Sequence, residues 1–141
     1  MQISTKGRYA LRIIIDLALQ GGDEFISLKT ISDRQEISMK YLETIISTLQ
    51  KAGYVISLRG KSGGYKLSRA ANEYTIGSIL KITEGSLAPV ACLEQKTNNC
   101  IRSAQCITLP MWQKLDRIVD DYLEGITIED LISKENHGKF L

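Results

Sequence analysis

From Thr5 to Leu19 apolar residues return at helical spacing, with Leu11, Ile14, Ile15, Ala18 and Leu19 on one wide stripe. Ser4 and Thr5 stand ahead of that stripe as caps, and Gly21 and Gly22 supply its stop. The pattern predicts a first helix whose stripe faces a core. After "GGDEF", Ser27 is placed to cap a short helix with Leu28 and Ile31 inward. Ser38 is placed to cap a longer helix with Tyr41, Leu42, Ile45, Ile46 and Leu49 inward and Gly53 at its C-terminal end. A short helix, a turn of about three residues and a longer helix form a helix-turn-helix arrangement. "YVISLRGKSGGYKLS" then reads as strand, glycine-rich turn and strand, and a hairpin directly after the second helix of such a motif is a wing.

Further along, Thr75 caps "IGSILKITE", which ends at Gly85. Pro110 sits in a favoured first-turn position ahead of Met111, Leu115, Ile118, Val119, Tyr122 and Leu123 at helical spacing. So full an apolar face on a helix set off by a loop suits a partner subunit better than a fold back onto its own domain. Thr127 caps a last helical turn in "ITIEDLI", and "SKENHGKFL" is expected to be a mobile tail around His137, the only histidine. The expected fold class is mainly α with a small β-hairpin wing. Residues 1–85 form a winged helix-turn-helix DNA-binding domain, 86–109 a cysteine-containing loop, and 110–141 a dimerisation helix and tail.

Composition narrows the class. A chain of 141 residues is about one domain, and 43% hydrophobic with 24% charged residues is near the globular average. The longest apolar stretch, Ala10 to Leu19, carries Arg12 and Asp16 and falls well short of the roughly 20 residues of a membrane span. The first residues lack the pattern of a secretory signal, so a cytoplasmic protein with no membrane partner is expected. Net charge is only +2, but residues 29–70 hold eight Lys or Arg against three acids, while residues 71–141 hold seven against ten. A basic middle beside an acidic end points to a patch that faces a polyanion. At the wing tip, Arg59, Gly60 and Lys61 bring charge with little bulk, so the backbone can approach a phosphate or a groove; Gly60, Gly63 and Gly64 also suit an ordinary turn.

The chain's three cysteines, Cys92, Cys100 and Cys106, lie within fifteen residues as Cys-x7-Cys-x5-Cys. Structural zinc sites use close pairs, and none is present here. A disulfide would strand one thiol and is unexpected in a reducing compartment. A catalytic cysteine wants a base, and His137 is in the tail, so no enzyme activity is expected. Soft thiolates at wide spacing suit iron and bridging sulfide. Three ligands leave a fourth position for a weaker donor or solvent, which opens one iron to oxygen, nitric oxide or loss and makes occupancy a report on supply. Clustered cysteines without a function are the bland alternative.

"STKGRYAL", "ISLKTISDRQEISMKYLE", "LRGKSGGYKL", the three cysteines and "ITIEDLI" together resemble the Rrf family of winged helix-turn-helix bacterial transcription regulators, from Met1 to about Ser133. Within it they resemble the iron–sulfur cluster regulator IscR more than its relatives NsrR and CymR, and CymR lacks the cysteine triad. The resemblance implies a homodimer formed through residues 111–124, with a recognition helix in each major groove of a double-stranded DNA operator. It implies Ser38, Lys40, Tyr41, Glu43 and Thr44 at the DNA, and Arg59 in the minor groove with Gly60 and Lys61 at the same tip. An acid at Glu43 helps IscR-like proteins exclude one class of operator, and a carboxylate accepts from cytosine while phosphate repels it; an exposed helix residue without a role is the plainer reading. Lys40 and Thr44 replace the serine and glutamine of IscR-like proteins, so their operator does not carry over.

The resemblance also implies that Cys92, Cys100 and Cys106 ligate the cluster. The family's two positions for a fourth ligand hold Leu109 and Arg8 here, which leaves Glu94, Asn98, Asn99, Thr108 or solvent. IscR-likeness points to [2Fe-2S], and three thiolates with an open site also suit [4Fe-4S]. The expected function is a repressor of iron–sulfur assembly or sulfur-metabolism genes. The alternative is a repressor of cysteine metabolism controlled by a cysteine-synthesis enzyme or by thiol redox state, with no cluster. A cluster carrier or redox enzyme is a third reading, in which the basic wing would be incidental.

Overall fold

The computed structural model describes residues 1–134 and 140. His137 and most of the predicted mobile tail lie outside the described residues. Helix α1 (Thr5–Asp16) opens where the Ser4 hydroxyl accepts the Gly7 amide at 3.1 Å. It runs into a single π-turn over Leu17–Gly21, and Gly22 ends it with φ 51°. Helices α2 (Leu28–Gln35) and α3 (Met39–Lys51) start at Ser27 and Ser38, whose hydroxyls accept the amides of Thr30 and Tyr41. The antiparallel hairpin β1 (Val55–Leu58) and β2 (Gly64–Leu67) follows in the register Val55 opposite Leu67 and Leu58 opposite Gly64. Helices α4 (Ile76–Glu84), α5 (Leu109–Glu124) and α6 (Ile128–Ile132) complete the chain. The mainly helical class with one hairpin is the architecture expected.

The core gathers Ile13, Ile14 and Leu17 of α1, Ile31 of α2, Leu42, Ile45, Ile46 and Leu49 of α3, Val55 of β1, Tyr74, and Ile79 and Leu80 of α4. The stripe expected on α1 needs a correction. Ala10, Ile13, Ile14 and Leu17 are buried, Leu11, Ile15 and Ala18 are half-buried, and Leu19 is exposed. The buried positions keep the i, i+3, i+4, i+7 spacing of an α-helix, so the inward face is the expected stripe turned by one residue, with Leu11, Ile15 and Ala18 at its margin and Leu19 outside. Ile128 and Ile126 join the same core. The main chain makes this possible, because the Ile76 amide donates to the Ile126 carbonyl and the Ile128 amide to the Tyr74 carbonyl, both at 2.9 Å.

Two links were absent from the sequence reading. Ile26, in the loop after the π-turn, exchanges two 2.8 Å hydrogen bonds with Tyr65 and so adds a third rung beside the hairpin. A side chain at Gly64 would run into the Ile26 carbonyl, and Gly64 also has φ 150°, so this glycine is required by the close approach and is more than a turn former. The second link is Asp16, buried at the end of α1. Arg34 donates to both its oxygens at 3.1 and 2.5 Å, and Gln35 donates at 2.8 Å, which ties α1 to α2.

Candidate DNA-binding surface and cysteine loop

α3 buries Leu42, Ile45, Ile46 and Leu49 on one face, and helical geometry therefore turns Ser38, Lys40, Glu43 and Thr44 outward. All four are exposed. Thr44 returns its hydroxyl proton to the Lys40 carbonyl at 3.1 Å, while Lys40 and Glu43 extend away from the core. Tyr41 is half-buried, since its ring meets Tyr9 of α1 edge to face with centroids 5.7 Å apart. At the hairpin tip Arg59, Gly60 and Lys61 are exposed, and Gly60 has φ 110°, so the turn itself selects a residue without a side chain. The hairpin is braced against α3 by Gln50, which donates to Ser57 at 3.0 Å. The expected recognition residues and wing tip thus lie on neighbouring elements joined by this contact.

The cysteine segment is built differently. Cys92 is half-buried in a 3-10 turn over Ala91–Leu93, Cys100 is exposed, and Cys106 is half-buried just after a second such turn over Ser103–Gln105. Cys92 and Cys100 share one cavity of about 310 Å³ with Gln95, Thr97 and Asn99, and Cys106 is not part of it. Asn98 shapes the turn between them: its carbonyl oxygen accepts the Cys100 amide at 2.9 Å, and its buried amide nitrogen has no partner among the described residues. The Cys106 thiol is held below the usual thiol range, first by the Thr108 hydroxyl and then by the amides of Thr108 and Leu109 and the charge of Arg102. Three free thiols, one biased toward thiolate, are suitable donors to the iron of a cluster. Their sulfurs do not converge: among the described residues no three Cys, His, Asp or Glu side chains come together as a metal site.

The two positions at which the resemblance would place a fourth ligand hold Leu109 and Arg8. Leu109 is the first residue of α5, with its amide on the Cys106 carbonyl, and Arg8 is exposed on α1 and donates to Thr5 at 3.2 Å. Directly after the loop, α5 has no buried residue, and Met111, Ile118 and Tyr122 are each more than half exposed. Ile118, Val119, Tyr122 and Leu123 line an apolar groove of about 290 Å³ with Met1 and Ile3. On its other side α5 is pinned to α4, where Lys81 lies 2.5 Å from Asp120 and 2.8 Å from Glu124, and Thr75 donates to Glu124 at 2.6 Å. Among the described residues no helix is long and apolar enough to cross a membrane.

Residues 3–134 match the family described as Rrf2, iron-dependent transcriptional regulator. The chain is 36% identical to the transcriptional regulator IscR of Pectobacterium carotovorum over 135 residues, which cover 96% of this chain and 81% of that protein. Among solved structures it resembles CymR, the global cysteine regulator of B. subtilis, with a TM-score of 0.75 and 36% identity over 93% of this chain and 95% of that one. It resembles IscR of T. potens with a TM-score of 0.74 and 32% identity over 100% of this chain and 92% of that one.

Proposed function

The chain belongs to the Rrf2 family of transcriptional regulators, and from that premise we propose that it binds operator DNA as a homodimer and senses through an iron–sulfur cluster. The observation that carries the DNA reading is the pairing of an outward row on α3 with a basic wing tip braced to the same helix. In this reading α3 lies in the major groove. Ser38, Lys40, Tyr41 and Thr44 supply donors to base edges and phosphates, and Glu43 accepts from cytosine and penalises sequences that put a phosphate or another acceptor opposite it. Arg59 enters the minor groove next to Gly60, and Lys61 meets the phosphates.

The dimer forms through the exposed apolar face of α5. Cys92, Cys100 and Cys106 hold the cluster, which, when bound, makes occupancy follow the supply of iron and sulfide. Cys106 leads straight into Leu109 of α5, so the three thiols that would hold the cluster lie next to the start of the helix proposed to form the dimer, and order in this loop would bear on the spacing of the two wings. The target genes in this reading are those of iron–sulfur assembly or sulfur metabolism, and binding represses them.

Protein purified without oxygen is expected to be brown, with stoichiometric iron and sulfide. Changing Cys92, Cys100 and Cys106 to alanine is expected to remove both the colour and the response of DNA affinity to iron. Colourless protein after an attempted anaerobic reconstitution overturns the cluster. A second reading then takes its place: a regulator of cysteine metabolism governed by a cysteine-synthesis enzyme or by its thiols. That reading is favoured by the cavity shared by Cys92 and Cys100 with Cys106 apart, and by the likeness to a cysteine regulator.

A further inference from the structure

We propose that Arg12 of α1 is a positioning residue for the recognition helix: its guanidinium clamps the end of α2 and, through Tyr9, the first turn of α3. The inference rests on the reading of α3 as the helix that enters DNA. Arg12 lies outside the outward row of α3 and outside the wing. Its Nε donates to the Gln35 side-chain oxygen at 3.1 Å, and a second guanidinium nitrogen donates to the Gln35 main-chain carbonyl. Gln35 is the last residue of α2, so this carbonyl is one of those that a helix end leaves without an internal partner.

The next residue, Glu36, takes a left-handed conformation with φ 54°, and the chain turns there toward α3. A non-glycine residue in that region is strained and persists only where its surroundings fix it. Several contacts fix it here. Gln35 also donates to Asp16, Asp16 is held by Arg34, and the Ser32 hydroxyl donates to the Ile37 carbonyl at 2.6 Å. Ser38, two residues after Glu36, is the cap of α3.

The same guanidinium reaches α3 by a second route. Its carbon stands 4.9 Å from the centroid of the Tyr9 ring, and that ring meets Tyr41 edge to face. One side chain therefore touches both the entry to the recognition helix and the neighbour of its first turn. Only a planar fork can donate twice to Gln35 and stack on a ring at once, which the single nitrogen of a lysine cannot reproduce. Ile31, Leu42, Ile45 and Ile46 of α2 and α3 are buried apolar residues of the core, whereas Arg12 is only half-buried, so losing the clamp is expected to loosen the placement of α3 and leave the core in being.

The experiment uses a duplex selected from a random pool by the wild-type protein, poly(dI-dC) as non-specific DNA, and the full-length Arg12→Lys and Arg12→Gln variants. Both are expected to bind the selected duplex about tenfold more weakly, the size of one mismatched base pair, with non-specific affinity, salt dependence and thermal midpoint close to wild type. Wild-type affinity in Arg12→Lys would show that only charge is needed and overturns the proposal. So does an equal loss on both DNAs, or a loss that follows the folded fraction. If the Arg12 variants do not fold, Tyr9→Leu removes only the ring between Arg12 and Tyr41; the same selective loss supports the clamp, and wild-type binding overturns it. Lys40→Ala and Arg59→Ala separate the two levels. If neither weakens binding, the assignment of α3 and the wing to DNA has failed, whereas weakening in them with unaffected Arg12 and Tyr9 variants fails the clamp alone.

Discussion

The winged unit and the segment from Ser86 to Glu124 handle their apolar residues in opposite ways. In the first, each helix closes its stripe against another element of the same chain, and the one deeply buried charge, Asp16, has a bidentate partner. In the second, α5 buries nothing fully, and Ile101 and Ile107, each directly after a cysteine, are 99% and 94% exposed. An isoleucine left in water forgoes about 1.5–3 kcal/mol of burial. The winged half thus closes its core within one chain, whereas the other half leaves an apolar helix face open. A second copy on α5 and a cluster between the cysteines, both proposed above, are what would complete it.

The comparison is tested hardest by equal truncations on its two sides. Ile46→Ala, in the core of α3, is expected to cost about 2–5 kcal/mol in urea unfolding. Ile118→Ala, on the open face of α5, is expected to change unfolding by less than about 0.5 kcal/mol in protein dilute enough to be monomeric, and to act on dimer dissociation instead. Equal losses in dilute protein would break the distinction. A smaller effect sharpens the function of the finished half. Arg59→Ala is expected to weaken binding of a selected duplex by about 1–3 kcal/mol and to lower the salt slope by about one, and unchanged binding would take the wing out of the interface.

Much of the finished half was legible because its signals are local. Ser4, Ser27, Ser38, Thr75 and Thr127 cap the helices they were expected to cap, and the inward set of α3 is the buried set, with Tyr41 at its margin. What was not legible depends on contacts distant in sequence. Nothing near Asp16 announces that Arg34 will neutralise it and Gln35 donate to it, and nothing in "GGDEFIS" announces that Ile26 will pair with Tyr65. The π-turn after Asp16 was hidden because its residues continue a helical pattern, with Leu17 buried where an unbroken α-helix carrying Ile13 and Ile14 inward would also bury it. The cysteines were found by spacing alone, but spacing does not say whether three sulfurs meet, and in this conformation they do not.

The smallest expected effect concerns the joint between the two halves. At neutral pH Lys81 is an ammonium between Asp120 and Glu124, and hydrogen bonds to Asp120 and then Glu124 raise its pKa. Glu124 is held below the usual carboxylate range, chiefly by Lys81 and then by the Thr75 hydroxyl. A depressed carboxylate gives stability that is present above its ordinary pKa and lost as pH falls through the depressed value. A raised lysine gives stability that is present below its ordinary pKa and lost as pH rises through the raised one. These ion pairs are therefore at full strength across the neutral range and weaken only to the acid or alkaline side. Because Lys81, Asp120 and Glu124 are all partly exposed, solvent screening limits each pair to about 0.5–1 kcal/mol. Glu124→Gln should lose less than about 1 kcal/mol at pH 7 and should flatten the acid limb of urea unfolding measured from pH 7 to pH 3. An unchanged acid limb would assign it to other carboxylates. A flattened limb would show that the carboxylate of Glu124, held down by Lys81 and Thr75, carries part of the acid sensitivity of the fold.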